Sequence, residues 1–115
     1  MAKFETTFMN QGFDSLVARV ERAVMNGSHT ASLEEKADYR LGDARCAVRV
    51  FERYSYTGGN RVSMSVTIFQ ADNITKLCAV TSGGSQALLF KINTWGEESF
   101  LDTLRAEFYG SLQYD

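Results

Sequence analysis

Between about Thr30 and Ile92 the side chains repeatedly change polarity from one residue to the next. That period of two belongs to pleated strands, whose neighbouring residues point to opposite faces, and not to helices. Ala31, Leu33, Ala37, Tyr39 and Leu41 alternate with Ser32, Glu34, Lys36, Asp38 and Arg40. From Arg45 to Tyr56, the set Cys46, Val48, Val50, Tyr54 and Tyr56 alternates with Arg45, Arg49 and Arg53, which predicts a long central strand with its apolar side inward. From Arg61 to Gln70, Val62, Met64, Val66 and Ile68 are expected inside and Ser63, Ser65 and Thr67 outside. A further strand near Thr75 to Thr81 and an apolar run from Ala87 to Ile92 complete the stretch, with both faces too apolar to set a register.

Glycine and asparagine punctuate these runs. Gly42-Asp43, Gly58-Gly59-Asn60, Asp72-Asn73 and Ser82-Gly83-Gly84-Ser85 all read as reversals. If Val50 and Tyr54 share a face with Met64 and Ile68, paired residue numbers must sum to an even value. This reading excludes a two- or four-residue loop and predicts a three-residue Gly58-Gly59-Asn60 loop with a bulge.

The two ends of the chain read differently. Lys3 to Phe8 alternates briefly, with Phe4, Thr6 and Phe8 on one side. Phe13, Leu16, Val17, Val20, Ala23 and Val24 then recur at helical spacing, with Arg19, Glu21 and Arg22 opposite and Asn26-Gly27 as a stop. Near the other end, Thr94-Trp95-Gly96-Glu97 matches a capping box, which predicts a helix starting there and burying Phe100, Leu101, Leu104, Phe108 and Leu112. Trp95 would anchor that helix's entrance by packing.

Strands joined by short turns make an antiparallel meander, and each helix has an apolar stripe that only a sheet is large enough to bury. The expected fold is α+β: about five to six antiparallel strands with two helices on one face, in the order β-α-β-β-β-β-β-α. The chain has 115 residues and no proline, repeat or linker-like stretch, so it reads as one domain over residues 1–115.

Charge and composition narrow the partners. A formal net charge of −2 argues against whole-domain attraction to nucleic acid or anionic lipid, both of which require a basic excess. Neither a leader-like start nor an apolar run of membrane-spanning length is visible, so a cytoplasmic location is expected. Cys46 and Cys78 lie in apolar segments without metal-ligand or redox spacing, and read as free buried thiols. With His29 the single histidine, neither a metal site nor a cofactor is indicated, and His29 lacks a partner at a catalytic spacing.

Two groups of residues could carry chemistry. Arg45, Arg49 and Arg53 stand on one strand face with Phe51 between two of them, and residues 44–61 hold four arginines against one glutamate. Planar guanidinium forks of this kind grip phosphates and stack on bases. The plainer reading is a solvated ladder in which Glu34 and Asp38 of the preceding strand lie diagonal to the arginines. The second group is Glu35 and Glu52, carboxylates that interrupt apolar faces and become diagonal neighbours in the same hairpin, beside Tyr54 and Tyr56. In a low-dielectric pocket such a pair would split its pKa values and serve a small-molecule ligand or an acid/base reaction. The plainer reading leaves both in water at an uncovered end of the sheet. The glycine loops lack phosphate-loop spacing and read as turns.

The stretch Val50-Phe-Glu-Arg-Tyr-Ser-Tyr-Thr-Gly-Gly-Asn-Arg-Val-Ser63, with Thr81-Ser-Gly-Gly-Ser-Gln-Ala87 downstream, resembles a family of short uncharacterised proteins from Gram-positive bacteria. That resemblance implies a bacterial cytoplasmic origin and carries no activity or site residue. The expectation is a non-enzymatic binding or assembly protein that forms a homo-oligomer by burying part of its open sheet face. A small-ligand protein or enzyme using Glu35, Glu52, Tyr54 and Tyr56, in a pocket between sheet and helices, is the alternative.

Overall fold

A computed structural model describes residues 1–54, 61–83 and 90–112, with side chains from 96 to 108 in the last segment. The elements are β1 (Ala2–Met9), α1 (Phe13–Gly27), β2 (Ser32–Leu41), β3 (Ala44–Tyr54), β4 (Arg61–Ala71), β5 (Ile74–Gly83) and α2 (Phe90–Leu112). The α+β class, the meander and the pair of helices all agree with the sequence reading. Five strands form one antiparallel sheet in the order β1-β5-β4-β3-β2. Strand β1 adds to the free edge of β5, so α1 crosses the sheet to reach β2 at the opposite edge. Helix α1 packs over β2 and β3, and α2 over β1, β5 and β4.

Local chemistry explains the turns. Gly42 takes φ +60° in the two-residue β2–β3 hairpin, and Asp72 and Asn73 take φ 54° and 63° between β4 and β5. Both conformations match the twist of the strands they join. The β3–β4 connection, including Gly58-Gly59-Asn60, lies outside the described residues.

The core sits between the helices and one face of the sheet. Phe13, Leu16, Val17, Val20 and Val24 of α1 and Phe100, Leu101, Leu104 and Phe108 of α2 are buried. They meet Phe4 and Phe8 of β1, Leu77 and Ala79 of β5, and Val62, Met64, Val66 and Ile68 of β4. Phe8 meets Phe108 edge to face at 5.2 Å. The helical stripes and the inward residues of β4 are therefore those the spacing indicates.

Strand β3 is turned over relative to expectation. Phe51 pairs with Met64 and Tyr54 with Arg61, so paired numbers sum to an odd value and not an even one. Ala47, Arg49 and Phe51 face the helices, while Cys46, Val48 and Val50 are only half-buried on the other side. The physical reason is that Phe51 is fully buried and fills the space beneath the helices, and the arginines beside it find partners there. Strand β2 follows β3 in register, which sends Lys36, Asp38 and Arg40 to the helix side and Ala37, Tyr39 and Leu41 to the open side.

Helix α2 also begins earlier than the capping box indicates, because the backbone is already helical at Phe90. The end of the Ala87–Ile92 run is thus helix and not a sixth strand, and residues 87–89 lie outside the described set. Glu97 lies in mid-helix, buried, with its carbonyl accepting from Thr81 Oγ1 at 3.2 Å and its carboxylate 3.0 Å from the amino group of Met1. The side chains of Thr94, Trp95 and Leu112 are outside the described residues.

Candidate functional site

The three arginines of β3 lie beneath the helices, each joined to one of them. Arg45 stacks 4.4 Å over the Phe13 ring and donates to Asp14 at 2.6 Å. That hydrogen bond, opposed by some desolvation and aided by the charges of Arg45 and Arg40, holds the Asp14 carboxyl below its usual range. Arg49 is 6% exposed and donates to Glu21 at 2.7 Å, Asp38 at 3.0 Å and the Ala37 and Val48 carbonyls. Burial alone would pull its pKa down, but the bonds to Glu21 and Asp38 outweigh it and leave the guanidinium firmly charged. Arg53 donates to the Gly96 carbonyl at 3.2 Å and lies 4.7 Å over Phe100. These side chains tie sheet to helices. The predicted diagonal acid, Asp38, does reach an arginine, at 3.0 Å on the helix side of the sheet, where Asp38 stays open to solvent while Arg49 is buried.

Among the described residues no helix lies on the opposite face of the sheet. Its residues fall into rows that the strand register specifies. At the end nearest the two tight hairpins stand Leu41 and Ala44, then Ala71, Ile74 and Met9. The next row runs Tyr39, Cys46, Phe69, Lys76 and Thr7, and the third Ala37, Val48, Thr67, Cys78 and Glu5. A fourth runs Glu35, Val50, Ser65, Val80 and Lys3. Large apolar groups stand out in the first two: Leu41 is 85% exposed, Met9 66%, Tyr39 64% and Phe69 47%. Scattered exposed apolar residues are ordinary, whereas here they stand in two adjacent rows of one face.

The far end of this face is polar. Glu52 is bound by Arg61 and accepts from Ser63 Oγ at 3.2 Å, and Arg61 lies 3.8 Å from Glu34 and 5.4 Å over the Tyr54 ring. Glu35 lies opposite Val50 on the same face, after a bulge between Leu33 and Glu35. Glu35, Glu52 and Tyr54 thus lie on the uncovered side, and the expected pocket between sheet and helices does not contain them. The register of β3 is the reason, since its even-numbered residues point away from the helices. Tyr56 lies outside the described residues.

Two further features belong to the open face. A shallow hollow of about 440 Å³ lies toward the β1 edge, lined by Glu5, Thr7, Thr67, Phe69, Lys76 and Cys78. Both cysteines are free, with Cys46 on β3 and Cys78 on β5. Burial, and then the charge of Glu5, push the Cys78 thiol above its ordinary range. Sequence reasoning passed over Phe69, although a phenylalanine continuing the outward series Ser63, Ser65, Thr67 was the legible signal. Among the described residues no group of three His, Cys, Asp or Glu side chains is placed to hold a metal, and no helix is long and apolar enough to cross a membrane.

Among the described residues, one helical layer against one face of a five-stranded sheet defines a two-layer α+β protein with an open second face. The chain belongs to a family of unknown function, DUF6054, whose model matches residues 1–110. Among solved structures it resembles a Pseudomonas aeruginosa protein, PA94, described as of unknown function and a candidate regulator. The two share 9% identity at a TM-score of 0.52 over 71% of this chain and 70% of the other, a likeness of fold alone. No curated protein matches the chain.

Proposed function

We propose that this is a non-enzymatic assembly protein of the cytoplasm of a Gram-positive bacterium, and that it self-associates through the open face of its sheet. The observation that carries the reading is the exposure of Leu41, Ile74 and Met9 in one row and Tyr39 and Phe69 in the next, on a face over which no helix lies among the described residues.

Size supports it. Five strands and four rows span about 24 Å by about 27 Å at ordinary strand spacings. Two such faces bury roughly 1,300 Å² together, which is enough for a specific interface. The edges are poorer candidates. The β2 edge carries Glu34, Glu35, Lys36, Asp38 and Arg40 together with a bulge, the usual devices that discourage strand addition.

Phe69 lies on β4, the middle strand, where a face-to-face contact would bury it most deeply. Light scattering coupled to size exclusion is expected to show a dimer of the 12.9 kDa chain on concentration. Phe69→Lys should reduce it to monomer with an unchanged circular dichroism spectrum, since the side chain lies outside the core. A monomeric parent protein at high concentration would sink the proposal.

A further inference from the structure

The rows also specify how two copies would meet, and this step rests on the self-association just proposed. We infer that the dimer is isologous, with its two-fold axis lying between the sheets and running along β4. Such an axis keeps each row level and exchanges the β1 and β2 edges, so every row meets its own reverse.

Three matches follow from that operation. In the first row Leu41 of one copy meets Met9 of the second copy, so the most exposed apolar groups cover each other. In the second, Tyr39 comes opposite the second copy's Thr7, over the hollow beside Phe69 and Cys78, and Phe69 meets itself on the axis. In the fourth, Glu35 meets the second copy's Lys3, and this opposite-charge pair occurs twice. A protruding ring thus faces a depression, and unlike charges face each other at both rims.

The competing face-to-face arrangement has its axis across the strands. It would set Leu41 over Glu35 and Met9 over Lys3, pressing the most exposed apolar groups onto charges at both rims, whereas the axis along β4 gives those rim charges opposite partners and sets only Lys76 against Cys46 and Glu5 against Ala37. Packed sheets rotate by about 30° relative to one another. Long side chains such as lysine and glutamate accommodate the displacement this causes at the edges.

A zero-length carbodiimide cross-link read by mass spectrometry tests the arrangement on the unmodified protein. Lys3 and Glu35 stand on opposite edges of one sheet, four strand spacings or about 19 Å apart, so a link between them forms only between copies. The expected result is a Lys3–Glu35 link in the dimer fraction. Lys3→Glu and Glu35→Lys should each weaken dimerisation about ten-fold, and the double variant should recover it to within a few-fold. Both positions are exposed, so folding is not at risk. A dimer that lacks the link and is not rescued by the charge swap overturns this geometry while leaving self-association standing. A protein that stays monomeric overturns both.

Discussion

Phe51→Ala is expected to destabilise the protein by about 3–5 kcal/mol, a large share of the roughly 5–15 kcal/mol that holds a typical domain together. Phe51 is fully buried among the inward residues of the sheet and pairs with Met64 on the central strand. Its removal takes away an aromatic ring's worth of apolar burial, and the cavity left behind is walled by strands that cannot close on it. Urea unfolding followed by circular dichroism measures the effect. Val50→Ala, one residue away on the open face, should cost about 1 kcal/mol or less in dilute solution, because Val50 is only half-buried. The contrast between neighbours reads the register of β3 directly: if Val50 proved the costlier of the two, the assigned faces would be reversed.

The second large effect is expected at Arg49. Arg49→Met retains much of the stem but removes the fork that joins α1 to β2, leaving the Glu21 and Asp38 carboxylates and two carbonyls without their donor. Breaking one partner out of a buried charge network costs about 3–5 kcal/mol. Asp38 and, in part, Glu21 reach solvent and can rehydrate, which lowers the expected loss to about 2–4 kcal/mol. Arg49→Lys should recover little, since one ammonium does not span two carboxylates and two carbonyls in a fixed plane. Combining Arg49→Met with Glu21→Gln should cost less than the two single changes added together. Strict additivity in that cycle would show that the pair is not coupled.

These two residues also show where sequence patterning stops. In α1 and β4 the apolar residues are buried by their own neighbours, so periodicity names the right face. In β3 the pattern of Cys46, Val48 and Val50 against Arg45, Arg49 and Arg53 points the wrong way. Hydrophobic alternation treats arginine as a surface residue. It does not register that Asp14, Glu21 and the Phe13 ring on a distant helix supply partners under which a guanidinium can be buried. The inverted face then carries through to β2, whose register follows β3, and to the parity of the β3–β4 pairing, while β4 keeps its expected face.

The candidate site was legible in part for the same reason. An open sheet face is implied by two helices on a five-stranded sheet, and Glu35 and Glu52 do share one side of it. Which apolar residues populate that side depended on the register of β3. Once the strand is turned over, Cys46, Val48, Val50 and Tyr39 leave the expected core and join Phe69 in the open. Tyr39 and Leu41, which looked like core, thus stand beside Phe69 and Met9 in the proposed contact.

The most direct test of that contact uses the two native thiols as reporters, since Cys46 and Cys78 lie in adjacent rows near the middle of the bare face. Alkylation rates for each cysteine, resolved by peptide mass spectrometry, should be compared in dilute and concentrated protein. If a second copy covers the face, both rates fall together as the chain is concentrated and recover in Phe69→Lys. Rates that stay the same at every concentration would mean that nothing of its own kind ever covers this surface.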